Sequence, residues 1–320
     1  MTAPEGAIDT APGTLLGVDF SCAPSARKPL TLAWGRRVGA VVQLSRVDEL
    51  TSLDAFAQCL LACSDTLAGL DFPLGLPRSF VHALCEDPPE DFPPAELDAL
   101  RQALATPSLN GTAPADALIH ALHAHCIDRA GFQRLIDGWG VHWHRERGDE
   151  RTLPHRPTDT AVPGLNSTSP LQTRYVPVGK MYFEGMIRLV QANLSLPGLR
   201  PGRPDVLGFE AYPRLLAGEI LASRSYKSDQ SDTAERQQAR LIARMDVVNA
   251  LEQGRTRLGL RLKLTNAQRD SVVADPKGDR LDAVLCLMQA GWAHQHGAQN
   301  ARPWGLPKVI DPLEGWILTT

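Results

Sequence analysis

The chain has 320 residues, of which 43% are hydrophobic, and its formal charge is −3. This length suits one elaborated domain or two small ones. The net negative charge excludes a protein whose whole surface attracts nucleic acid, so any nucleic-acid site must be local. No run approaches the roughly 18 consecutive apolar residues of a membrane span, and we expect no membrane partner.

The cysteines and the first residues bear on the cell compartment. None of the six cysteines forms a Cys-x-x-Cys pair, so neither a zinc ribbon nor a redox motif is expected. Several cysteines lie in apolar stretches typical of buried thiols, which suits a reducing compartment. Residues 1–12 are acidic and rich in Pro and Ala, unlike a signal peptide. We therefore predict a cytoplasmic protein.

The elements of the first part of the chain predict an α/β fold after a flexible tail at residues 1–13. The predicted strands are 15–20, 30–34, 38–46 and 66–72, with a hairpin turn at Gly35-Arg36-Arg37 and a helix at 52–64. Apolar runs indicate the strands, and apolar side chains near helical spacing indicate the helix. Three strands, a helix and a further strand predict a mixed sheet flanked by helices.

The middle of the chain breaks this pattern. It is rich in predicted helices, with prolines between them, at 79–86, 94–105 and 114–137, followed by a polar loop at 145–160. We interpret residues 78–160 as a helical insertion or lid within a single domain of residues 14–320. Strand and helix then alternate again, with a strand at 205–211, helices at 180–194, 212–223, 232–254 and 265–274, and a last helix that ends near His294.

Four aspartates are the candidates for chemistry. Asp19 and Asp71 each end an apolar run, and Asp279 and Asp282 lie three residues apart on one face of the last helix. A charge beside a core needs a counter-ion, and hard divalent cations prefer oxygen ligands. The pattern predicts a Mg²⁺ or Mn²⁺ site. Two such ions about 3.5–4 Å apart stabilise the attacking and leaving oxygens of a phosphoryl displacement.

Each aspartate also has a structural interpretation. Asp19 would form an Asx turn after its strand, and Asp71 would cap the following turn. Asp279 and Asp282 would favour the start of a helix through its dipole. The fact that all four fall at strand ends or on one helix face favours the shared site.

Further candidates lie at Glu210, Lys227 and the loop that contains Arg27 and Lys28. Glu210 ends a predicted strand and is either a further metal ligand or the partner of a basic residue. Lys227 either contacts a substrate phosphate or is solvated. Arg27 and Lys28 follow Asp19 closely and either hold a phosphate or lie in an exposed turn.

Histidines are dense in the predicted insertion. Zinc would suit such residues, but their spacing matches no closed zinc site, so we expect no metal there. The residues are His120, His123, His125, His142 and His144, with Cys126 nearby.

Several segments, in this order, resemble the domain-of-unknown-function family 429. They are GVDFS (17–21), GLDFPLGLP (69–77), FEAYP (209–213), SYK (225–227) and DRLDAV (279–284). VGKMYFEG (178–185) and PLEGWI (312–317) resemble one branch of that family, and the resemblance covers roughly residues 14–318.

That family is described as predicted nucleases with a ribonuclease H-like fold. The resemblance therefore implies metal-binding roles for Asp19 on the first strand and Asp71 on the fourth. It implies the same for the paired aspartates of the last helix. Glu210, on the fifth predicted strand, matches the family motif, but a residue in this position is not a usual metal ligand of ribonuclease H.

Together these observations predict metal-dependent hydrolysis of a phosphodiester bond, with nucleic acid as the partner. Asp19 would bridge two ions, the other aspartates would complete their coordination, and Lys227 or Arg27 would contact the scissile phosphate. Two alternatives stay open. An actin-like phosphotransferase or ATPase would need a second half with its own Gly-rich phosphate loop, and a non-catalytic interaction protein would keep only the scaffold.

Overall fold

A seven-stranded mixed sheet forms the centre of the molecule. The structure is a computed structural model that describes residues 12–105, 112–147, 153–163, 167–228 and 233–320. The strand order is β5-β6-β4-β1-β2-β3-β7. The strands are β1 (Thr14–Asp19), β2 (Leu30–Val38), β3 (Val41–Leu50), β4 (Thr66–Leu70), β5 (Leu194–Ser195), β6 (Arg203–Glu210) and β7 (Arg261–Lys263).

The middle of the sheet combines an antiparallel meander with parallel strands. β1 pairs antiparallel with β2, and β2 pairs antiparallel with β3. β4 lies parallel to β1, and β6 lies parallel to β4. Because β1, β4 and β6 are parallel, their carboxyl ends meet at one edge of the sheet.

Helices cover both faces of this sheet. The described helices are α1 (Leu53–Ala62), α2 (Arg78–Glu86), α3 (Pro94–Ala105), α4 (Pro114–Cys126), α5 (Arg129–Arg147), α6 (Val178–Gln191), α7 (Pro213–Leu221), α8 (Ala234–Glu252), α9 (Asn266–Ala274) and α10 (Asp279–His296). One apolar core joins the sheet to α1–α6 and the other joins it to α7–α10. The predicted α/β fold with a mixed, helix-flanked sheet is confirmed. None of the helices in the described ranges has the length and apolar character needed to cross a lipid bilayer.

The predicted hairpin turn at Gly35-Arg36-Arg37 is wrong. β2 continues through these residues to Val38, which pairs with Val41. The turn falls at Gly39, whose φ of 58° suits glycine. Gly35 instead lies beside a register shift, where an added Cβ would be 3.1 Å from the Leu287 side chain. This glycine therefore serves close packing within the sheet and against α10.

Within the described residues of the predicted insertion there are four α-helices, α2–α5. The single predicted helix at 114–137 is divided, because Ile127 has a φ of 63° and ends α4. The predicted loop at 145–160 begins inside α5 and ends in a 3-10 turn at Pro157–Thr160. The predicted tail lies outside the described residues apart from positions 12 and 13.

Candidate metal centre

Two glycines bring α10 onto the middle of the sheet. Gly17 on β1 and Gly69 on β4 are cross-strand neighbours. An added Cβ on Gly69 would lie 2.5 Å from the carbonyl oxygen of Cys286, and one on Gly17 would lie 2.8 Å from the Leu287 Cα. Only a residue without a side chain allows the helix backbone so close. The first turn of α10 thereby lies beside the ends of β1 and β4.

Asp19 and Asp71 each lie two residues beyond one of these glycines. The β1–β4 pairing continues to Val18 and Leu70, and the Asp71 amide donates to the Val18 carbonyl oxygen at 2.9 Å. Because side chains alternate along a strand, the two carboxylates lie on the face that carries α10. Phe20 and Phe72 point to the opposite face, where their ring centroids are 4.5 Å apart.

Asp282 completes a cluster of three carboxylates. It lies in the first turn of α10 and is 0% exposed. One carboxylate oxygen from each of Asp19, Asp71 and Asp282 lies within 4.8 Å of the others. Among the residues that the structure describes, these are the three whose potential ligand atoms lie close enough together to share a cation. The sequence prediction thus names all three members.

Tyr226 and Lys227 contact the buried member of the cluster. The Tyr226 hydroxyl donates to Asp282 Oδ1, and the Lys227 ammonium pairs with Asp282 Oδ2. Arg244 on α8 holds this segment, because its guanidinium donates to the Tyr226 carbonyl oxygen at 2.7 Å. Lys227 was predicted as a phosphate contact, and in this structure it is an ion-pair partner of Asp282. The sequence alone indicates no role for Tyr226 or Arg244.

The protonation of the cluster reflects crowded negative charge. Burial, followed by the charges of Asp282 and Asp71, raises the pKa of Asp19 well above its usual value. Burial, followed by the charge of Asp282, raises the pKa of Asp71 to about 8. Burial lowers the pKa of Lys227, but the carboxylates, chiefly that of Asp282, outweigh this effect and raise it. One ammonium therefore compensates only part of the charge of three carboxylates.

Asp279 lies beside the cluster rather than in it. It is the first residue of α10, and it is not among the three residues whose oxygens lie within 4.8 Å of one another. Burial, followed by the charge of Asp275, raises its pKa to about 6. Asp279 is therefore available at the edge of the site but does not share the central position.

A cleft of about 630 Å³ opens over the cluster and is lined by Asp19, Asp71 and Asp279. Lys28 lines the same cleft, whereas Arg27 lines a neighbouring groove. The Arg27 carbonyl oxygen accepts a hydrogen bond from the Lys277 ammonium. Of the two predicted basic residues, only Lys28 lies on the cleft that contains the cluster.

Glu210 has a cationic partner of its own. Its two carboxylate oxygens accept from Arg156 at 2.6 and 2.7 Å, and the Leu74 amide donates to it at 2.9 Å. Arg156 is 2% exposed and also pairs with Asp159 at 2.8 Å. Both of the Glu210 oxygens are therefore occupied, which agrees with the interpretation that Glu210 orients a basic residue. Nothing in the sequence around Arg156 indicates this role, because the residue lies in a polar stretch.

Two of the candidate histidines take part in packing. His123 stacks on Phe183 with ring centroids 3.7 Å apart, and its Nε2 donates to the Phe183 carbonyl oxygen at 2.9 Å. His125 stacks on Phe92. The side chains of His142 and His144 lie outside the described residues.

Comparison with protein-family models, with curated proteins and with solved structures gave no match to this chain. The resemblance to family 429 therefore stays a prediction, and a proposal of function rests on the residues of the cleft.

Proposed function

We propose that this protein is a metal-dependent phosphodiesterase that cleaves nucleic acid. The observation that carries the proposal is the convergence of Asp19, Asp71 and Asp282, from two strands and one helix, to oxygen separations within 4.8 Å. Oxygen atoms that share one divalent cation at about 2.0–2.5 Å lie no more than about 4–5 Å apart. The spacing of the cluster meets this limit.

The charge and chemistry of the donors also fit a hard divalent cation. Three ionised carboxylates and the Lys227 ammonium leave two negative charges, which one divalent cation neutralises. The donors are all oxygens, as Mg²⁺ and Mn²⁺ prefer. Thr31, directly opposite Asp19 in the β1–β2 pairing, is buried with a hydroxyl that has no hydrogen-bond partner among the described atoms. It offers one more polar group beside Asp19.

The topology supports a ribonuclease H-like fold. An antiparallel β1–β2–β3 meander continues in parallel to β4 and β6, and the acidic residues lie at the ends of β1 and β4 and on the last long helix. This placement is the one that the resemblance to family 429 implies. A two-metal mechanism would also require Asp279, which lines the cleft outside the central cluster.

In this proposal, each residue of the site has a separate role in hydrolysis. Asp19, Asp71 and Asp282 would hold the metal, and Tyr226 orients Asp282 by its hydrogen bond. Lys227 neutralises Asp282 and is half-exposed, so it can turn toward a phosphate when a cation takes its place. When bound, divalent ions supply Lewis-acid activation of water and stabilise charge on the phosphate.

Asp19→Asn tests the proposal, because it keeps the shape of the side chain and removes a ligand charge. The purified wild type should cleave single- or double-stranded DNA or RNA with Mn²⁺ and lose this activity in a chelator. Asp19→Asn should abolish the cleavage. Asp205→Asn is the matched control, since Asp205 is exposed at the opposite end of β6. Equal cleavage by wild type and Asp19→Asn would reject the site.

The non-catalytic alternative has one observation in its favour, which is the ion pair between Lys227 and Asp282. An internal cation in this position compensates the buried carboxylate without a metal. Titration with Mn²⁺ separates the two ideas, because a scaffold that relies on Lys227 would show no heat of binding. The actin-like alternative would need two halves of this kind, and the described residues form one sheet.

A further inference from the structure

Tyr175 is an exposed aromatic side chain on the cleft that contains the carboxylates. Its exposed fraction is 99%, and that of the adjacent Val176 is 56%. Both residues line the cleft together with Asp19 and Asp71. An aromatic ring that contacts so little of its own protein leaves its faces available to a ligand.

The backbone holds Tyr175 in this position. Its φ is 59°, in the left-handed region that residues other than glycine rarely adopt. Hydrogen bonds close the loop that carries it: the Arg174 amide donates to Gln172 Oε1 at 2.9 Å, and the Gly179 amide donates to the Gln172 carbonyl oxygen at 2.8 Å. Strained residues that the surrounding structure holds in place are concentrated at binding sites.

The charges of the cleft indicate what the ring would meet. Lys28, Arg214 and Lys277 line it in addition to Lys227. Basic side chains along a cleft with an exposed aromatic ring are the combination that binds single-stranded nucleic acid, in which cations follow the phosphates and rings stack on bases. A volume of about 630 Å³ is within the range of sites for small ligands, so it suits a nucleotide segment rather than a folded partner.

We propose that Tyr175 is a stacking platform for an unpaired nucleobase, and that the substrate is therefore single-stranded nucleic acid. This inference rests on the proposed function and makes its substrate class specific. In a duplex, each base is already stacked on its neighbours. Only a single strand or an unstacked base therefore offers a free face to Tyr175.

The experiment is a binding titration in a chelator, where no metal-dependent cleavage takes place. The probes are a short fluorescein-labelled single-stranded DNA, its RNA counterpart and the matching DNA duplex, followed by fluorescence anisotropy. Tyr175→Asn removes the ring and suits left-handed backbone. It should weaken binding of at least one single strand by about 5- to 150-fold, as expected for the loss of one stacked base.

Three controls make the result specific. Tyr175→Phe keeps the ring and should bind within about 2-fold of wild type. Val38→Ala removes another exposed apolar side chain, 65% exposed at the far end of β2, and should have no effect. The thermal midpoint of Tyr175→Asn should equal or exceed that of wild type, because Asn tolerates positive φ.

Three results would overturn the inference: wild-type protein that binds neither single strand, wild-type protein that binds the duplex as tightly as either single strand, or Tyr175→Asn protein that binds both single strands as tightly as wild type. Failure of the proposed function is distinguishable from this. If Tyr175 stacks on a nucleobase, its replacement weakens single-strand binding even when the protein shows no cleavage with Mn²⁺.

Discussion

Replacement of Gly69 by alanine tests how the sheet positions the site. An alanine Cβ at this position would lie 2.5 Å from the Cys286 carbonyl oxygen, whereas real Cβ contacts are at least 3.0 Å. The obstructing atom belongs to the helix backbone and cannot rotate away. β4 and α10 must therefore separate by about 0.5 Å. The same movement displaces Asp282 from Asp71, since the two aspartates lie on these two elements.

The expected cost follows from this geometry. Overpacking of a core lowers the free energy of unfolding by about 1–3 kcal/mol. The lower flexibility of alanine in the unfolded chain offsets about 0.5–1 kcal/mol of this loss. We expect a net loss of about 1–2 kcal/mol in the free energy of unfolding, or about 2–4 °C in the thermal midpoint. Because a site constellation tolerates displacements of about 0.5 Å at most, Mn²⁺ affinity should fall below that of the wild type.

Urea unfolding and calorimetric Mn²⁺ titration measure the two effects. Gly138→Ala is the control, because its added Cβ meets nothing within 4 Å on an exposed part of α5. It should raise the free energy of unfolding by up to about 1 kcal/mol and leave Mn²⁺ affinity unchanged. If Gly69→Ala is as stable as wild type and binds Mn²⁺ equally well, the account of how α10 positions Asp282 is wrong.

Four further predictions concern charged residues that line the cleft. Mn²⁺ affinity should rise with pH between 6 and 8, since Asp71, with its pKa of about 8, and Asp19, whose pKa is raised well above its usual value, must lose their protons to bind metal; an affinity that does not change between pH 6 and 8 in calorimetry would contradict this. The raised pKa also means that the stability which Asp71 contributes to the metal-free protein is present in acid and lost as pH rises through about 8, and urea unfolding of Asp71→Asn should lack this loss. Lys227→Met should lower the unfolding free energy of the metal-free protein by about 1–2 kcal/mol, a figure reduced because the lysine is partly exposed. The same substitution should tighten Mn²⁺ binding, because the ammonium no longer competes with the metal for Asp282. Weaker Mn²⁺ binding in calorimetry would contradict this. Arg156→Met should cost about 3–5 kcal/mol in urea unfolding, since it leaves the Glu210 carboxylate buried without its cation, and an unchanged midpoint would show that the pair is dispensable.

The sequence predicts the parts of the site that depend on local pattern. Asp19 and Asp71 each end an apolar run, and parallel strands with in-register glycines bring such ends together. The aspartate pair on the last helix also follows from its spacing. The structure separates that pair, because Asp279 is the first residue of α10 at the edge of the cleft, whereas Asp282, three residues later in the same turn, is fully buried.

Long-range contacts explain what the sequence does not reveal. Arg156 lies 54 residues from Glu210, in a polar stretch whose composition indicates a loop, and nothing local shows that it is buried. The edge strands β5 and β7 have two and three residues, too few for a periodic signal. The sequence predicts the hairpin turn at the wrong position because Gly35 resembles a turn glycine, although its role is to pack within the sheet and against α10.

The central claim is that Asp19, Asp71 and Asp282 hold a divalent cation. Anomalous diffraction from a crystal of the wild-type protein soaked in Mn²⁺ tests it most directly. We predict an anomalous peak between these three carboxylates, with the Lys227 ammonium displaced from Asp282. A crystal without that peak, in which Lys227 still pairs with Asp282 at saturating Mn²⁺, would contradict the account.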